Sequence, residues 1–366
     1  MTSMDFTFTE EQETIANIAR QLFEHRATPE RLTELEADDQ RYDASLWREL
    51  ASADLLGIAL PESVGGSGHG FLELALLLAE VGWSVAPVPL YATLLLGADT
   101  IARHGSEAQQ QRYLPDVING NLLLTMSLAE PARSDPSARS TTASRDGGRW
   151  RISGVKELVP AAQLVNTVLV PAATDEGDVR VFLIDTDDSG VDVRPVETTN
   201  REPHADVFLD GAVASEEGYL HADLDDVYAR AVVGLCAVQL GVTDRALHIA
   251  AAYTTEREQF GRPIGSFQAV QQRMADAFID VEAIRWTTWQ AAWLLGQDRQ
   301  AQREASIAKF WAAEAGARVA ATAQQVHGGI GIDTTYPLFR YFLWAKHNEL
   351  TLGSASAHLA RLGAAY

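Results

Sequence analysis

The spacing of apolar residues changes twice along this chain, from helical to alternating and back, and few architectures accommodate that order. Residues 1 to about 120 read as helical. Thr9 precedes Glu10, Glu11 and Gln12, an N-cap followed by a carboxamide able to close a capping box. Ile15, Ile18, Ala19 and Phe23 then share one helical face. A glycine-rich loop, residues 61–70, leads into an apolar helix holding Leu72, Leu74, Leu76, Leu77, Leu78 and Val81. From 121 to 222 the signal is β. Asp146-Gly147-Gly148 is a hairpin turn, and Trp150, Ile152 and Val155, then 165–170 and 179–184, are short β-rich runs. From 223 onward helical spacing returns in Phe267, Val270, Met274, Phe278 and Val281. Residues 310–326 are dense in alanine, which lets helix backbones approach closely in a bundle. The expectation is an α+β chain with an N-terminal helical domain (1–120), a central antiparallel β domain (121–222) and a C-terminal helical bundle (223–366).

A length of 366 residues with 46% hydrophobic content is more than one core needs, in keeping with several subdomains. The formal net charge of −21 argues against nucleic acid or anionic membrane as the main partner. An anionic cofactor must then be met by a local cluster of arginine and backbone N–H groups. The single cysteine, Cys236, sits among Val233, Leu235 and Val238 and reads as a core residue. The acidic N-terminus does not read as a signal peptide, and the apolar run 231–238, bounded by Arg230 and Gln239, is expected to be too short to span a bilayer. A cytoplasmic location is expected.

No HExxH, CxxC, P-loop or GxSxG pattern occurs, and the nine histidines do not fall at metal-ligand spacing, so no metal site is expected. Residues 65–70, Gly-Gly-Ser-Gly-His-Gly, do not fit GxGxxG and read as a turn between helices. Two other segments are informative. Residues 255–268 run from a helix end through a Gly/Pro loop into a new helix and carry Arg257, Phe260 and Gln268. Residues 325–331 end the alanine-rich helix in Gln325, His327, Gly328 and Gly329. Bare glycine backbone can approach a diphosphate and arginine can pair with it, although each segment alone also reads as an ordinary helix terminus.

Together with Phe6 to Gln12, Leu60-Pro61-Glu62, Gln111 to Pro115 and Leu128-Ala129-Glu130-Pro131, these segments make the chain resemble the acyl-CoA dehydrogenase family over nearly its whole length. The resemblance implies a helical domain, a β domain and a four-helix bundle. It also implies FAD, shared between two subunits, and oxidation of an acyl-CoA thioester to the 2-enoyl-CoA by a carboxylate base and the flavin. Arg257, Phe260, Gln268, Gln325, Gly328 and Gly329 match the half of the site that holds the ADP portion of a partner's FAD. The half that holds the flavin ring is degraded. Ala129 replaces a threonine, Ala132-Arg133-Ser134-Asp135 replaces a glycine-rich stretch, and Leu158-Val159-Pro160 replaces a flavin-stacking Trp-Ile-Ser/Thr.

By the same resemblance, the two positions at which family members carry the catalytic glutamate fall at Leu352 and at or near Ala231. Glu349 is the one local candidate, and it reads more simply as a surface or salt-bridged carboxylate. The chain thus resembles the non-catalytic subunit of heteromeric α2β2 acyl-CoA dehydrogenases of actinobacterial steroid side-chain catabolism. That implies a second acyl-CoA dehydrogenase subunit as partner, an acyl-CoA substrate in the complex, and an electron-transfer flavoprotein or similar acceptor. The alternatives are a self-sufficient homo-oligomer using Glu349 or another carboxylate, and a redox-inactive protein of the same fold.

Overall fold

The computed structural model describes residues 7–131, 140–215 and 217–364. The first block is helical: α1 (Glu10–Arg26), α2 (Pro29–Glu36), α3 (Ala44–Ser52), α4 (Phe71–Ser84), α5 (Thr100–His104) and α6 (Glu107–Ile118), with a wide π-helical stretch, Tyr91–Asp99, before α5. Helix α1 starts at the capping box expected of Thr9: its Oγ1 accepts from the Gln12 N–H at 3.2 Å, and the Gln12 side chain accepts from the Thr9 N–H at 3.0 Å.

The middle block holds β1 (Leu124–Met126), β2 (Thr142–Asp146), β3 (Arg149–Pro160), β4 (Thr167–Thr174), β5 (Val179–Asp185), β6 (Val191–Val196), β7 (His204–Ser215) and β8 (Tyr219–Leu220). They form one sheet in the order β6-β7-β3-β2-β4-β5-β8, with β1 also on β4. The hairpin expected at Asp146-Gly147-Gly148 joins β2 to β3. The sheet is not purely antiparallel as expected. β1 and β2 lie end to end along β4, and both run parallel to it. Turn residues announce hairpins, whereas a parallel pair is closed by a distant crossover that leaves no local mark. Trp150 is buried at the centre of this block, 5.5 Å from Phe182 between ring centroids.

The third block comprises α7 (Leu224–Glu256), α8 (Gln268–Gly296), α9 (Gln302–His327), α10 (Leu338–Leu350) and α11 (Ala355–Ala364). The apolar run 231–238 is only part of α7. Arg230 and Gln239 do not end it, because both are buried and bonded: Arg230 to Asp226 and the Leu295 carbonyl, Gln239 to Asn348 and the Ala312 carbonyl. By length and composition α7 could cross a membrane, but 78% of its apolar window is buried inside the protein. It packs on α4 through two glycines. A Cβ on Gly82 would lie 1.9 Å from the Val238 carbonyl oxygen, and one on Gly241 1.9 Å from that of Ala79. This contact fuses the first block to the bundle.

Candidate functional site

A cavity of about 500 Å³ opens where the three blocks meet. Its wall takes Val85, Pro89, Tyr91 and Leu96 from the first block. Met126, Ala129, Leu158 and Pro160 come from the sheet, and Tyr228, Leu235, Trp344 and Leu352 from the bundle. The volume suits a small, mostly apolar ligand.

The two residues expected at the base positions, Leu352 and Ala231, belong to this region, and neither is a carboxylate. Ala231 is fully buried in α7, and its carbonyl accepts the Tyr91 hydroxyl at 3.0 Å. Leu352 lines the cavity between α10 and α11 at φ +58°. Its carbonyl accepts the Tyr228 hydroxyl at 2.5 Å and the His358 Nε2–H at 2.9 Å. Among the described residues the wall includes Asn348 and Leu350 but not Glu349. Glu349 is instead ion-paired to Lys346 one turn back on α10. Beneath it, the buried Lys309 donates to the carbonyls of Asn348 and Glu349 at 2.7 and 3.1 Å. Those bonds cap the last turn of α10, and burial brings the Lys309 ammonium down to about 8.

Among the described residues, the sheet side of the cavity is short of donors. Ala129 has only a methyl, Pro160 has no N–H, and Leu158, at φ +50°, turns an aliphatic side chain 49% exposed where an aromatic platform would be needed. The nearby backbone donors are taken: the Glu157 N–H by the Ala129 carbonyl at 3.2 Å, the Leu158 N–H by Asp206 Oδ1 at 2.9 Å. Ala132 to Asp135 lie outside the described residues. Glu130 is held at this wall by a buried ion pair, with Lys156 Nζ at 2.5 Å and both side chains 1% exposed. Burial would raise its carboxyl, but Lys156 and Ser140 hold it down at about 2.

The other predicted residues lie on a different surface. Arg257, Phe260, Gln268, Gln325, Gly328 and Gly329 are all exposed, with Phe260 at 92%. Their two segments are brought together by a ring stack. Tyr253, one turn before Arg257, packs on His327, next to Gly328, at 4.2 Å and 21°. Tyr336 completes the cluster through a 3.1 Å bond from its hydroxyl to His327 Nε2, while His327 Nδ1 bonds the Ala323 carbonyl at 2.7 Å. At Gly328, φ is +63°, and a Cβ on either glycine would meet nothing within 4 Å, so this backbone is open to a ligand.

The acyl-CoA dehydrogenase N-terminal, middle and C-terminal domain models match residues 9–121, 125–212 and 229–366. The chain belongs to the acyl-CoA dehydrogenase family. It is 40% identical over 370 residues to acyl-CoA dehydrogenase FadE27 of Mycobacterium tuberculosis (strain ATCC 25618 / H37Rv), covering 98% of each chain. Among solved structures it is similar to a variant of the Tcur3481–Tcur3483 steroid ACAD, at 45% identity, TM-score 0.92 and 97% of each chain. It is also similar to the ChsE4–ChsE5 complex from Mycobacterium tuberculosis, at 39% identity and TM-score 0.94, over 99% of this chain and 98% of that one.

Acyl-CoA dehydrogenases generally bind FAD. The exposed set on the bundle has the chemistry that could meet the ADP portion of that cofactor: a guanidinium, two carboxamides and glycine backbone on two segments joined by the Tyr253–His327 stack. Among the described residues of the sheet wall, the Glu157 and Leu158 N–H groups are already bonded and Pro160 has none, which leaves few donors for a flavin ring. Three groups of the cavity escaped sequence reasoning: the tyrosines bonded to the Ala231 and Leu352 carbonyls, the Glu130–Lys156 pair, and a cluster of Glu202, His204 and His347. His347 on α10 is distant in sequence from Glu202 and His204, and no spacing rule links them.

Proposed function

We propose that this chain is the non-catalytic subunit of a heteromeric FAD-dependent acyl-CoA dehydrogenase and lends the ADP-binding half of an FAD site to a partner subunit. The observation that carries the reading is the split between its two surfaces. The exposed Arg257, Gln268, Gln325, Gly328 and Gly329 present the donors a diphosphate needs, while both base positions are apolar with their carbonyls bonded to tyrosines. Arg257 would face the diphosphate, the glycine backbone would approach it, the two carboxamides would donate to it, and Phe260 would pack against the partner. The bound flavin supplies hydride acceptance; the ring pocket and the carboxylate belong to the partner.

The reading draws support from the ChsE4–ChsE5 complex and the Tcur3481–Tcur3483 steroid ACAD, each named as two components. The steroid in the latter name makes a steroid side-chain thioester the first acyl-CoA to test. An electron-transfer flavoprotein or similar acceptor would reoxidise the complex.

The test is flavin absorbance per protein after expression of the chain alone and with candidate partner subunits. We expect little FAD in the chain alone and a yellow complex. A chain that purifies yellow by itself would favour the self-sufficient homo-oligomer and overturn the proposal.

A further inference from the structure

One end of the cavity is polar in a way the dehydrogenase reading does not use. The β6–β7 connection carries Asn200, Arg201, Glu202 and Pro203, and β7 opens with His204; all five line the cavity. Asn200 Nδ2 donates to Glu202 Oε2 at 2.5 Å, leaving Oε1 without a bond from it. His204 Nδ1 lies 3.1 Å from the Glu202 carbonyl, which places the proton there and leaves Nε2 a lone pair. His347 reaches in from α10 and meets His204 edge to face, centroids 5.0 Å apart.

The charged groups on the same wall are Glu36, Arg41, Glu130, Glu157, Arg201 and Arg340. Glu36 is tied to Arg201 at 3.1 Å and to Arg340 at 2.6 Å, Arg41 to Glu197 at 3.5 Å, and Glu130 to Lys156. Lys309 lies behind Asn348 and adds to the repulsion that disfavours protonation of His347.

We infer that this end of the cavity is a binding subsite for a neutral oxygen group, a ketone or hydroxyl, carried on an apolar skeleton. Burial pushes the Glu202 carboxyl up to about 8, so at neutral pH it is a donor rather than an anion. Burial likewise holds His204 at about 4 and His347 at about 3, so both imidazoles are uncharged. A neutral donor beside neutral imidazoles favours an uncharged acceptor over a carboxylate, and the guanidiniums of the same wall are already paired, Arg201 and Arg340 to Glu36 and Arg41 to Glu197. The apolar side chains of Leu35, Val85, Leu164 and Trp344 cover the rest of such a ligand. The subsite does not depend on which subunit holds the flavin.

Prodan, a naphthalene bearing a propionyl ketone, is a suitable probe because its emission reports both burial and a hydrogen bond to its carbonyl. Titrated into the full chain at about pH 7, it should bind saturably. Glu202→Leu should weaken binding about tenfold, the loss of one donor to a buried acceptor. Glu202→Gln keeps an N–H donor and should stay within about threefold. Lys309, at about 8, loses its proton in the same window in both proteins, so the readout is the difference: between about pH 7 and about pH 9 wild-type affinity should fall several-fold further than that of Glu202→Gln. Tyr42, also on the wall and pushed up to about 12, does not titrate in that range. Absence of saturable binding, or equal affinity in wild type and Glu202→Leu, overturns the inference. Should Glu202→Leu not fold, a wild-type affinity that falls with pH no further than that of Glu202→Gln does the same. None of these outcomes touches the FAD content of the complex, which tests the subunit role separately.

Discussion

The Tyr228 hydroxyl donates to the backbone carbonyl of Leu352 at 2.5 Å, across the gap between α7 and the α10–α11 turn. Leu352 and Ala231 are the residues that the family resemblance sets at the base positions, and Ala231 is bonded in the same manner by Tyr91 at 3.0 Å. The two positions are therefore structural as well as apolar: each carbonyl anchors a tyrosine of the cavity wall. Leu352 holds a left-handed backbone, uncommon for a branched side chain, and the Tyr228 and His358 bonds hold it there.

Tyr228→Phe should lower stability by about 1 kcal/mol, since one hydrogen bond is lost while His358 still satisfies the carbonyl. Urea unfolding of the chain measures it. Flavin content of the complex should not change; a clear fall would mean that the Leu352 turn reaches the cofactor.

Arg257→Ala should lower FAD per complex several-fold, because a guanidinium opposite the diphosphate is lost. The side chain is exposed, so thermal unfolding of the chain itself should move little. Unchanged FAD stoichiometry would remove Arg257 from the site.

Glu349→Gln in this chain should leave turnover of the FAD-loaded complex near wild type, since Glu349 is paired to Lys346 and absent from the described cavity wall. Changing the partner's glutamate should abolish it. A loss of about a thousandfold from Glu349→Gln, with flavin retained, is what removal of a general base would give and would reassign the active subunit.

Stability should fall as pH drops below about 6.5, where unfolded histidines begin to take up protons. Burial holds His204 at about 4, His347 at about 3 and His358 at about 4, so the folded chain resists that uptake and the unfolded state gains. Glu202, raised to about 8, acts oppositely: its contribution is present at low pH and is lost as pH rises toward 8. Denaturation midpoints between about pH 6.5 and about pH 4.5 should therefore decline on acidification, and His347→Gln should flatten the decline. An unaltered slope in that variant would show that His347 is not buried neutral.

Sequence alone determined the order of helical, sheet and helical blocks, because period and capping are local properties. The Thr9 capping box, the hairpin at Asp146-Gly147-Gly148 and the apolar helix after Gly70 lie within a few residues of the signals that announce them. The motif residues Arg257, Phe260, Gln268, Gln325, Gly328 and Gly329 were legible as types. Only the Tyr253–His327 stack shows that their two segments share one surface. The parallel pairing of β1 and β2 with β4, the continuation of α7 through Arg230 and Gln239, and the meeting of Glu202 and His204 with His347 were decided by the tertiary structure. Each joins residues far apart in the chain, and whether a charge ends a helix or a carboxyl keeps its proton depends on the burial and partners that packing supplies.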